Sequence, residues 1–372
     1  MEQKPTRRII YGVHGYGRGH AARALAVLPH LTERYDVRIL AGDDAFDQLR
    51  DRYDVTRIPV LRYYNNDKKR RSAYLTLKRN TPGLQDMLMR GPIFQMVCSI
   101  MNEYQPDVVI SDSEGWTHHV AHVLKIPRIS FDHYGVMAFC RFRMSLLDRI
   151  TCWLESRVYR MLIGKPERII AAAFYDGAPK RDGVTVVGPI LRERVRQTEP
   201  AGGDYLLTYF SNASENYTPE IEQALQQLDV PVKMYGLGKD RQDGNIQYRP
   251  FGNEPFLRDL AGCRAVFATA GNQLISEAIH FGKPMLLVPE ESLEQRLNAK
   301  TVQRWHIGVQ TSHKKFNYSV LEDFWSRVDE LGEGIDDHRR DGLGETLEAM
   351  ESAIDDLTAS SEPDRESPAA AR

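Results

Sequence analysis

The sequence predicts an α/β protein made of two doubly wound, Rossmann-like domains facing across a cleft. Short apolar runs of strand length alternate with segments of helical spacing along most of the chain, which is typical of parallel sheets covered by helices. Glycine-containing turns follow an apolar run in each half, at 14–20 and at 269–272. A chain of 372 residues is also too long for one ordinary core.

The composition narrows the class of protein. With 42% hydrophobic residues and a formal net charge of −2, the chain is typical of a globular protein, and its charge indicates no nucleic-acid partner. The four cysteines lack the spacing of a metal site, so we expect reduced thiols. No secretion signal or apolar run of membrane-spanning length is visible. These features predict a cytoplasmic protein.

The first half carries the elements of one domain, which we place at residues 1–188. Apolar runs bounded by turn residues predict strands, and apolar residues three to four apart predict helices. The predicted strands lie at 8–13, 37–41, 55–59, 108–111, 128–131, 168–172 and 184–187, and the predicted helices at 21–33, 43–52, 84–104 and 116–124.

The second half predicts a second domain at 204–357, after a polar linker at 189–203 that is punctuated by glycine and proline. The predicted strands lie at 205–209, 230–235, 265–268 and 285–288, and the predicted helices at 253–260, 273–281, 318–331 and 343–357 with one more opening at Ser292. From 358 to 372 the composition predicts a disordered tail.

One stretch, 264–308, organises the second domain as strand, helix, strand and helix. In a parallel sheet a ligand binds beyond the carboxyl ends of the strands, against helix amino termini. Three groups should therefore meet there, namely the turn Ala270-Gly271-Asn272, Glu277, and the pair Glu294-Gln295. The free backbone N–H groups of the turn suit a phosphate, while a carboxylate and an amide suit hydroxyl groups. Together they predict a nucleotide-sugar pocket.

These residues resemble the donor-binding segment of the UDP-glycosyltransferases and of the bacterial enzyme that adds N-acetylglucosamine to a lipid-linked peptidoglycan precursor. The resemblance implies the GT-B fold, with Glu277 binding both ribose hydroxyls and Glu294-Gln295 binding the transferred sugar. The family's Asp-Gln is Glu-Gln here, which leaves the sugar open. The shared pattern appears as Gly271, Glu277, Gly282-Lys283-Pro284, Pro289, Glu294-Gln295 and Asn298-Ala299.

A second motif lies in the loop after the first strand, where the chain reads His14-Gly15-Tyr16-Gly17-Arg18-Gly19-His20. Its glycine spacing does not fit a dinucleotide-binding loop, although Asp43 lies roughly where such a loop would want an acidic residue. The form Gly-x-Gly-His-x-x-Arg, ending here at Arg23, is instead similar to the first loop of the same glycosyltransferases. Two motifs in separate halves of the chain therefore agree.

By this resemblance His20 is predicted to be the general base on an acceptor hydroxyl, since an imidazole titrates near neutral pH. Asp112, just past the strand 108–111, is predicted to orient the ring and to stabilise the imidazolium. Two readings stay open, with Asp112 as a helix N-cap and His14 as a rival base. The reaction implied is inverting and needs neither metal nor cofactor, because helix amino termini would hold the departing UDP.

Two arrangements resemble metal sites, and neither predicts one. The pair Asp112-x-Glu114 resembles the Asp-x-Asp of another glycosyltransferase fold, but a single acidic pair is poor evidence for a metal. His118 and His122 lie four residues apart on one predicted helix face, yet no third ligand is evident. We expect these histidines to be surface or satisfied, partly buried residues.

Taken together, the motifs nominate a site. Its catalytic members are His20 and Asp112. Donor-binding roles are predicted for Gly17, Gly19, Ser211, Asn212, Phe251, Thr269, Ala270, Gly271, Asn272, Gln273, Glu277, Glu294, Gln295 and Asn298, and acceptor-side roles for His14, Tyr16, Arg18 and His133.

Two basic segments bear on the acceptor. Residues 62–90 include Lys68-Lys69-Arg70-Arg71 and are typical of a solvated loop or of an acceptor-binding loop that meets an anionic group or an anionic membrane surface. Residues 137–163 combine an apolar stripe with arginines, as in a helix packed on its own core or one lying on an anionic membrane. We expect a nucleotide-sugar donor as substrate and a small-molecule or lipid-linked acceptor. Peripheral binding to the cytoplasmic face of the inner membrane is a further hypothesis.

Three other functions stay open at this point. A UDP-sugar epimerase shares the fold and the donor pocket, although the Gly-Thr-Arg-Pro-Glu-like opening associated with it is missing. An NAD-dependent enzyme would use the first glycine-rich loop. A non-catalytic nucleotide-sugar-binding protein would keep Glu277 and Gln295 without turnover.

Overall fold

The computed structural model describes residues 7–15, 18–62, 64, 73–210, 213–250 and 252–359. The chain divides into two compact units, which are described separately. The first consists of Met1–Ile190 with Gly342–Arg372, and the second of Leu191–Asp341.

The first unit contains a seven-stranded sheet with the order β3-β2-β1-β4-β5-β7-β9, in which every neighbouring pair is parallel. Its strands are β1 Arg8–Val13, β2 Asp36–Ala41, β3 Val55–Arg57, β4 Val108–Asp112, β5 Arg128–Asp132, β7 Arg168–Ala172 and β9 Val184–Val187, with a small separate pair, β6 Cys140–Arg141 and β8 Ala178–Pro179. Its helices are α1 Arg18–Arg34, α2 Asp43–Leu49, α3 Ala73–Met89, α4 Pro92–Tyr104, α5 Gly115–Val123, α6 Tyr134–Phe139, α7 Leu146–Ile163 and α16 Leu343–Ala359.

The strand order of this sheet reverses at β1, which lies between β2 and β4. On one face Ile9 and Tyr11 pack with α1 and α16, and on the other face Ile10 packs with α4 and α5. Because both faces are covered, these strands are continuous apolar runs. A ligand crevice in such sheets lies beyond the carboxyl ends of the strands where the order reverses. Here those ends carry His14 and Asp112.

The second unit repeats this plan with the order β12-β13-β11-β10-β14-β15-β16, in which only the edge pair β12–β13 is antiparallel among the described strands. Its strands are β10 Leu206–Tyr209, β11 Val232–Tyr235, β12 Arg241–Asp243, β13 Ile246–Tyr248, β14 Ala265–Ala268, β15 Met285–Leu287 and β16 Gly308–Gln310. Its helices are α8 Glu193–Gln197, α9 Ala213–Asn216, α10 Pro219–Gln227, α11 Asn253–Gly262, α12 Asn272–His280, α13 Leu293–Arg304, α14 Tyr318–Ser326 and α15 Val328–Gly332, followed by a 3-10 turn, Asp336–His338. The order reverses at β10, beside β14.

Two predicted helices are divided in the structure, and the one expected over 318–331 forms α14 and α15. The single helix expected over 84–104 is the end of α3 and the whole of α4, separated by Arg90, whose φ is 56°, and Gly91. Pro92 then opens α4, and the Asp86 carboxylate accepts hydrogen bonds from the first-turn N–H groups of Ile93 and Phe94. The basic segment 62–90, predicted to be a loop, is helical from Ala73 to Met89, although Pro82 and the next glycine lie inside that helix. Its run Lys68-Lys69-Arg70-Arg71 lies outside the described residues.

The division of the chain also differs from the predicted one. Helix α16, assigned from sequence to the second domain, packs into the core of the first unit. Gly342 makes the return possible, because a Cβ there would lie 2.1 Å from the carbonyl oxygen of Gly188. The segment predicted as a linker groups with the second unit from Leu191 onward, where Lys283 Nζ donates to the carbonyl of Ala201 at 2.7 Å. In the part of the chain that is described, no helix is long and apolar enough to cross a membrane.

Candidate functional site

The site residues of the first unit converge on the Asp112 carboxylate, at the carboxyl end of β4. This carboxylate is fully buried, and its Oδ1 lies 2.7 Å from His20 Nδ1. Arg23 binds it through both ends of its guanidinium fork, with Nε donating to Oδ2 at 2.8 Å and an Nη donating to Oδ1 at 2.5 Å. His20 and Arg23 reach it together because they lie three residues apart on α1. We call these three residues the His20–Asp112–Arg23 cluster.

The hydrogen-bond geometry assigns the tautomer of His20. A carboxylate can only accept, so the 2.7 Å contact places a proton on Nδ1. The Arg23 nitrogen at 3.1 Å from the same Nδ1 is then a close neighbour and not a hydrogen-bond donor to it. Nε2 is left as the lone-pair nitrogen, which is the form that a general base requires.

The charges in the cluster favour an ionised Asp112. Burial by itself would raise the pKa of Asp112, but the Arg23 guanidinium and the His20 ring outweigh it and hold that pKa below its ordinary value. His14 lies nearby, with its ring centroid 5.1 Å from that of His20. Burial, reinforced by repulsion from His20, lowers the pKa of His14 to about 3. His14 is therefore neutral at physiological pH and a weak proton acceptor.

Glu114, and not Asp112, caps the helix that follows β4. Its two carboxylate oxygens accept from the backbone N–H groups of Trp116 at 2.8 Å and Thr117 at 2.6 Å. The N-cap reading of Asp112 is thus wrong, because α5 begins two residues later than that reading requires. Both oxygens of Glu114 are used in these two hydrogen bonds, so Glu114 and Asp112 have different roles. This removes the basis for interpreting the pair as metal ligands. Among the described residues, no group of three His, Cys, Asp or Glu side chains could hold a metal ion.

The neighbouring strand β5 contributes Asp132, which sequence reasoning did not nominate. Its Oδ1 accepts from the Gly135 N–H at 2.6 Å, and its Oδ2 accepts from the Ser113 hydroxyl at 2.7 Å and from the Tyr159 hydroxyl. His133, predicted on the acceptor side, follows directly and is 7% exposed. Its Nδ1 lies 2.9 Å from the carbonyl of Ala172, which requires a proton on that nitrogen. Its predicted role stays a prediction.

The glycine-rich loop is described in part. Tyr16 and Gly17 lie outside the described residues, and of Arg18 only the backbone of α1 is described. Gly19 stands in the first turn of α1, directly before His20. Gly15 approaches protein backbone and not a ligand, since a Cβ there would lie 2.1 Å from the carbonyl oxygen of Gly42.

His118 is not the surface or satisfied, partly buried histidine that the sequence predicts. It is fully buried, and neither ring nitrogen has a hydrogen-bond partner among the described residues. Burial lowers its pKa to about 3, with a further contribution from Arg128. His122, four residues on, is exposed, so the two rings do not share an environment.

In the second unit, the turn before α12 is held by side chains from α13. Gln295 Oε1 accepts from the backbone N–H of Ala270 at 3.0 Å and of Glu290 at 2.9 Å, and Asn298 Nδ2 donates to the carbonyl of Ala270 at 3.0 Å. The N–H of Ala270 is therefore used within the protein, which corrects the prediction that it faces a phosphate. Gly271 is the N-cap of α12 and Asn272 its first residue, so the backbone N–H groups predicted to face a phosphate begin there.

The same bonds fix what Gln295 can offer a ligand. Two N–H donors require the amide oxygen, so the group that remains to face a sugar is the NH2 donor. Ser292 holds this end of α13 as its N-cap, accepting from the Gln295 N–H at 3.1 Å. Glu294 is half-buried in the same turn.

Glu277 is 1% exposed and its carboxylate is occupied. Gln273 Nε2 donates to Oε1 at 2.7 Å, while Arg192 donates to both oxygens. No sequence motif nominates Arg192, because it lies in the segment 189–203, which the sequence predicts to be a linker. Thr269 is buried at the end of β14, whereas Ser211, Asn212 and Phe251 lie outside the described residues.

Comparison with known proteins identifies the family and the fold of the chain. A family model described as Glycosyl transferase family 1 matches residues 7–329. An uncharacterized glycosyltransferase of Methanosarcina acetivorans is 26% identical over 267 residues, covering 63% of this chain and 67% of that protein. The structure of CalG4, the calicheamicin glycosyltransferase, matches with a TM-score of 0.66 at 14% identity, covering 98% of this chain and 100% of that one. MurG of Acinetobacter baumannii matches with a TM-score of 0.60 at 16% identity, covering 94% and 100%. The predicted GT-B fold is confirmed.

Proposed function

Because the chain belongs to glycosyl transferase family 1 and is a glycosyltransferase, we propose that it transfers a sugar from a UDP-sugar to an acceptor hydroxyl, with inversion at the anomeric carbon. The observation that carries this proposal is the 2.7 Å contact between His20 Nδ1 and the buried Asp112 carboxylate. The NAD-dependent, epimerase and non-catalytic alternatives are set aside, since the family is one of transferases.

The chemistry proposed for the cluster is a single displacement. The acceptor oxygen forms a bond to the anomeric carbon while the bond from that carbon to the diphosphate breaks, and the hydroxyl proton passes to His20 Nε2. Asp112 then stabilises the imidazolium through the Nδ1 proton. His20 is preferred over His14, because a ring whose pKa is about 3 accepts a proton poorly at neutral pH.

The donor proposal rests on the second unit. A cis-diol presents two O–H donors, which match the two oxygens of Glu277, so the site favours a ribonucleotide. The amino terminus of α12 offers backbone N–H groups and a positive dipole end to the diphosphate. We propose that this end stabilises the leaving UDP and that no metal is required. The Gln295 NH2 group would donate to hydroxyl oxygens of the sugar.

The test compares donor binding with turnover. UDP release is measured with an acceptor panel for the wild type, His20→Ala, Asp112→Asn and His14→Ala, and UDP binding is measured by calorimetry. We expect His20→Ala to lower turnover about 10²–10⁴-fold with UDP affinity retained, and His14→Ala to have a smaller effect. Full turnover by His20→Ala would contradict the assignment of the base. Absence of UDP binding by the wild type would contradict the donor.

A membrane-bound acceptor is favoured by the face of α7 that points away from the core. Three of the residues buried along this helix are small or polar, namely Asp148, Cys152 and Ser156, and one apolar residue, Ile163, is buried at its carboxyl end. A helix packed on its own core, which is one of the two interpretations of the sequence, would instead bury its apolar side chains and expose its polar ones. The exposed apolar side chains are Leu146, Leu147, Ile150, Trp153, Leu154, Val158 and Met161, each between 51% and 77% exposed.

Exposed arginines lie among these apolar side chains. Arg149, Arg157 and Arg160 are on the same helix, and the Arg157 guanidinium lies 5.0 Å from the centre of the Trp153 ring. An apolar face with a basic rim is complementary to the acyl boundary and the phosphates of an anionic bilayer. We propose that α7 binds such a surface and that the acceptor is lipid-linked.

Vesicle sedimentation tests this proposal. We expect the protein to sediment with vesicles of phosphatidylglycerol and phosphatidylcholine at low salt, and to be released by salt or by use of phosphatidylcholine alone. Trp153→Glu with Leu154→Glu should abolish sedimentation, and Arg149→Glu should weaken it. Arg52→Glu, an exposed charge reversal elsewhere in the unit, is the control. No sedimentation at low salt, or dimerisation through α7 without lipid, would overturn the proposal.

A further inference from the structure

The carboxylate proposed to bind the donor ribose is already held by an arginine. Arg192 Nε donates to Glu277 Oε1 at 2.8 Å, and an Nη of the same guanidinium donates to Oε2 at 2.7 Å. Gln273 donates to Oε1 as well, at 2.7 Å. The side chain of Glu277 is 2% exposed and that of Arg192 is 26% exposed, so the arginine lies between the carboxylate and solvent.

The hydrogen-bond capacity of Glu277 limits what can bind beside Arg192. An ionised carboxylate accepts about four hydrogen bonds, two for each oxygen. Oε1 already accepts two, from Arg192 and Gln273, and Oε2 accepts one. A ribose that places one hydroxyl on each oxygen needs a site on Oε1, which is full. The diol and the Arg192 fork therefore compete for one edge of the carboxylate.

We infer that Arg192 is a specificity-determining residue of the donor site. Its guanidinium occupies the ribose position on Glu277, and a ribonucleotide displaces it. The fork and the cis-diol are alternatives because each presents two parallel donors to the two oxygens of a carboxylate. This inference rests on the proposed function, in which Glu277 binds the donor ribose.

The surroundings allow the side chain to move without the backbone. The carbonyl of Arg192 accepts from the N–H groups of Val195 at 2.9 Å and Arg196 at 3.2 Å, which fixes it as the N-cap of α8. Leu191 and Val195 are fully buried on either side. The Arg192 side chain is partly exposed, so release of its guanidinium toward solvent leaves these contacts intact.

Displacement of Arg192 affects the selectivity of the site between a ribonucleotide and a 2′-deoxynucleotide. A 2′-deoxynucleotide has one hydroxyl, which can use the remaining acceptor site on Oε2 without displacing Arg192. A ribonucleotide gains two O–H bonds but loses the two bonds from Arg192. Removal of Arg192 should therefore strengthen UDP binding more than binding of 2′-deoxy-UDP.

Calorimetry with both nucleotides tests this. We expect Arg192→Ala to tighten UDP binding about tenfold and 2′-deoxy-UDP binding less than threefold, and Arg192→Lys, which keeps the charge but not the fork, to give an intermediate change. Arg194→Ala is the control, because Arg194 lies two residues after Arg192 and forms an exposed ion pair with Glu254. This variant should bind both nucleotides as the wild type does. If Arg192→Ala does not fold, Arg192→Lys against the wild type carries the test.

The outcomes separate this inference from the proposed function. Unchanged or weaker UDP binding by Arg192→Ala, with wild-type binding intact, would overturn the role of Arg192 and leave the donor assignment standing. Equal tightening for both nucleotides would also overturn it, because the competition would not involve the diol. Absence of UDP binding by wild type and variants alike would overturn both.

Discussion

Replacing Asp112 by asparagine tests whether the His20–Asp112–Arg23 cluster is a buried ion pair as well as a catalytic pair. Asn keeps the size of Asp and an oxygen that can accept from His20, but it removes the counter-charge of Arg23. Arg23 is 8% exposed and Asp112 is fully buried, so the guanidinium would stay buried without its partner. Removing one partner of such a pair costs about 3–5 kcal/mol of unfolding free energy. In a body of this size, each 1 kcal/mol lowers the melting temperature by about 2–4 °C.

A second substitution removes the buried charge of Arg23, which Asp112→Asn leaves without its partner. Arg23→Met alone leaves Asp112 with His20 as its remaining described donor, and it should also be strongly destabilising. The double variant Asp112→Asn with Arg23→Met buries no unpaired charge, so it should recover most of the loss. The sum of the single effects should exceed the effect of the double change by about 2 kcal/mol or more.

Thermal unfolding followed by circular dichroism and tryptophan fluorescence at pH 7 provides the measurement. Asp51→Asn, in a side chain that is 84% exposed, is the matched control and should change the melting temperature little. The reasoning is refuted if Asp112→Asn melts within about 2 °C of the wild type, or if the double variant is as unstable as the sum of the two single variants.

His118→Leu should stabilise the protein and reduce its sensitivity to acid. The pKa of His118 is about 3 in the folded protein and about 6.5 when unfolded, so the unfolded state binds the extra proton and stability falls by up to about 1.4 kcal/mol per pH unit as pH drops through that window. Melting scans from pH 4 to 7 would detect this difference between the wild type and the variant. Glu114→Ala should cost about 1–2 kcal/mol in urea unfolding through loss of the α5 cap, and Glu114→Gln, which keeps one acceptor oxygen, about half as much. Gln295→Glu keeps the acceptor for the N–H groups of Ala270 and Glu290 but removes the NH2 donor, so calorimetry should show UDP bound as before and UDP-sugar bound no more tightly than UDP.

The fold class and the positions of the two motifs could be predicted from the order of residues alone. Strands such as Arg8–Val13 and Ala265–Ala268 are continuous apolar runs because both faces of a parallel sheet are covered, and that signal is local. The turn at Gly271 and the spacing from His20 to Arg23 are also local, since both depend on one strand end or one helix turn. From these the positions of Asp112 and Gly271 at the carboxyl ends of their strands follow.

The pairing of distant residues could not be predicted in this way, because it depends on how the segments pack. Arg23 meets Asp112 across 89 residues and Arg192 meets Glu277 across 85, and nothing in either local pattern names the partner. The orientation of α7 is a similar case, because helical periodicity defines a stripe but not which side of it the core will cover. Helix α16 returns to the first unit because its apolar face completes that core. Each of these depends on packing between segments far apart in the chain, which the order of residues along one segment does not encode.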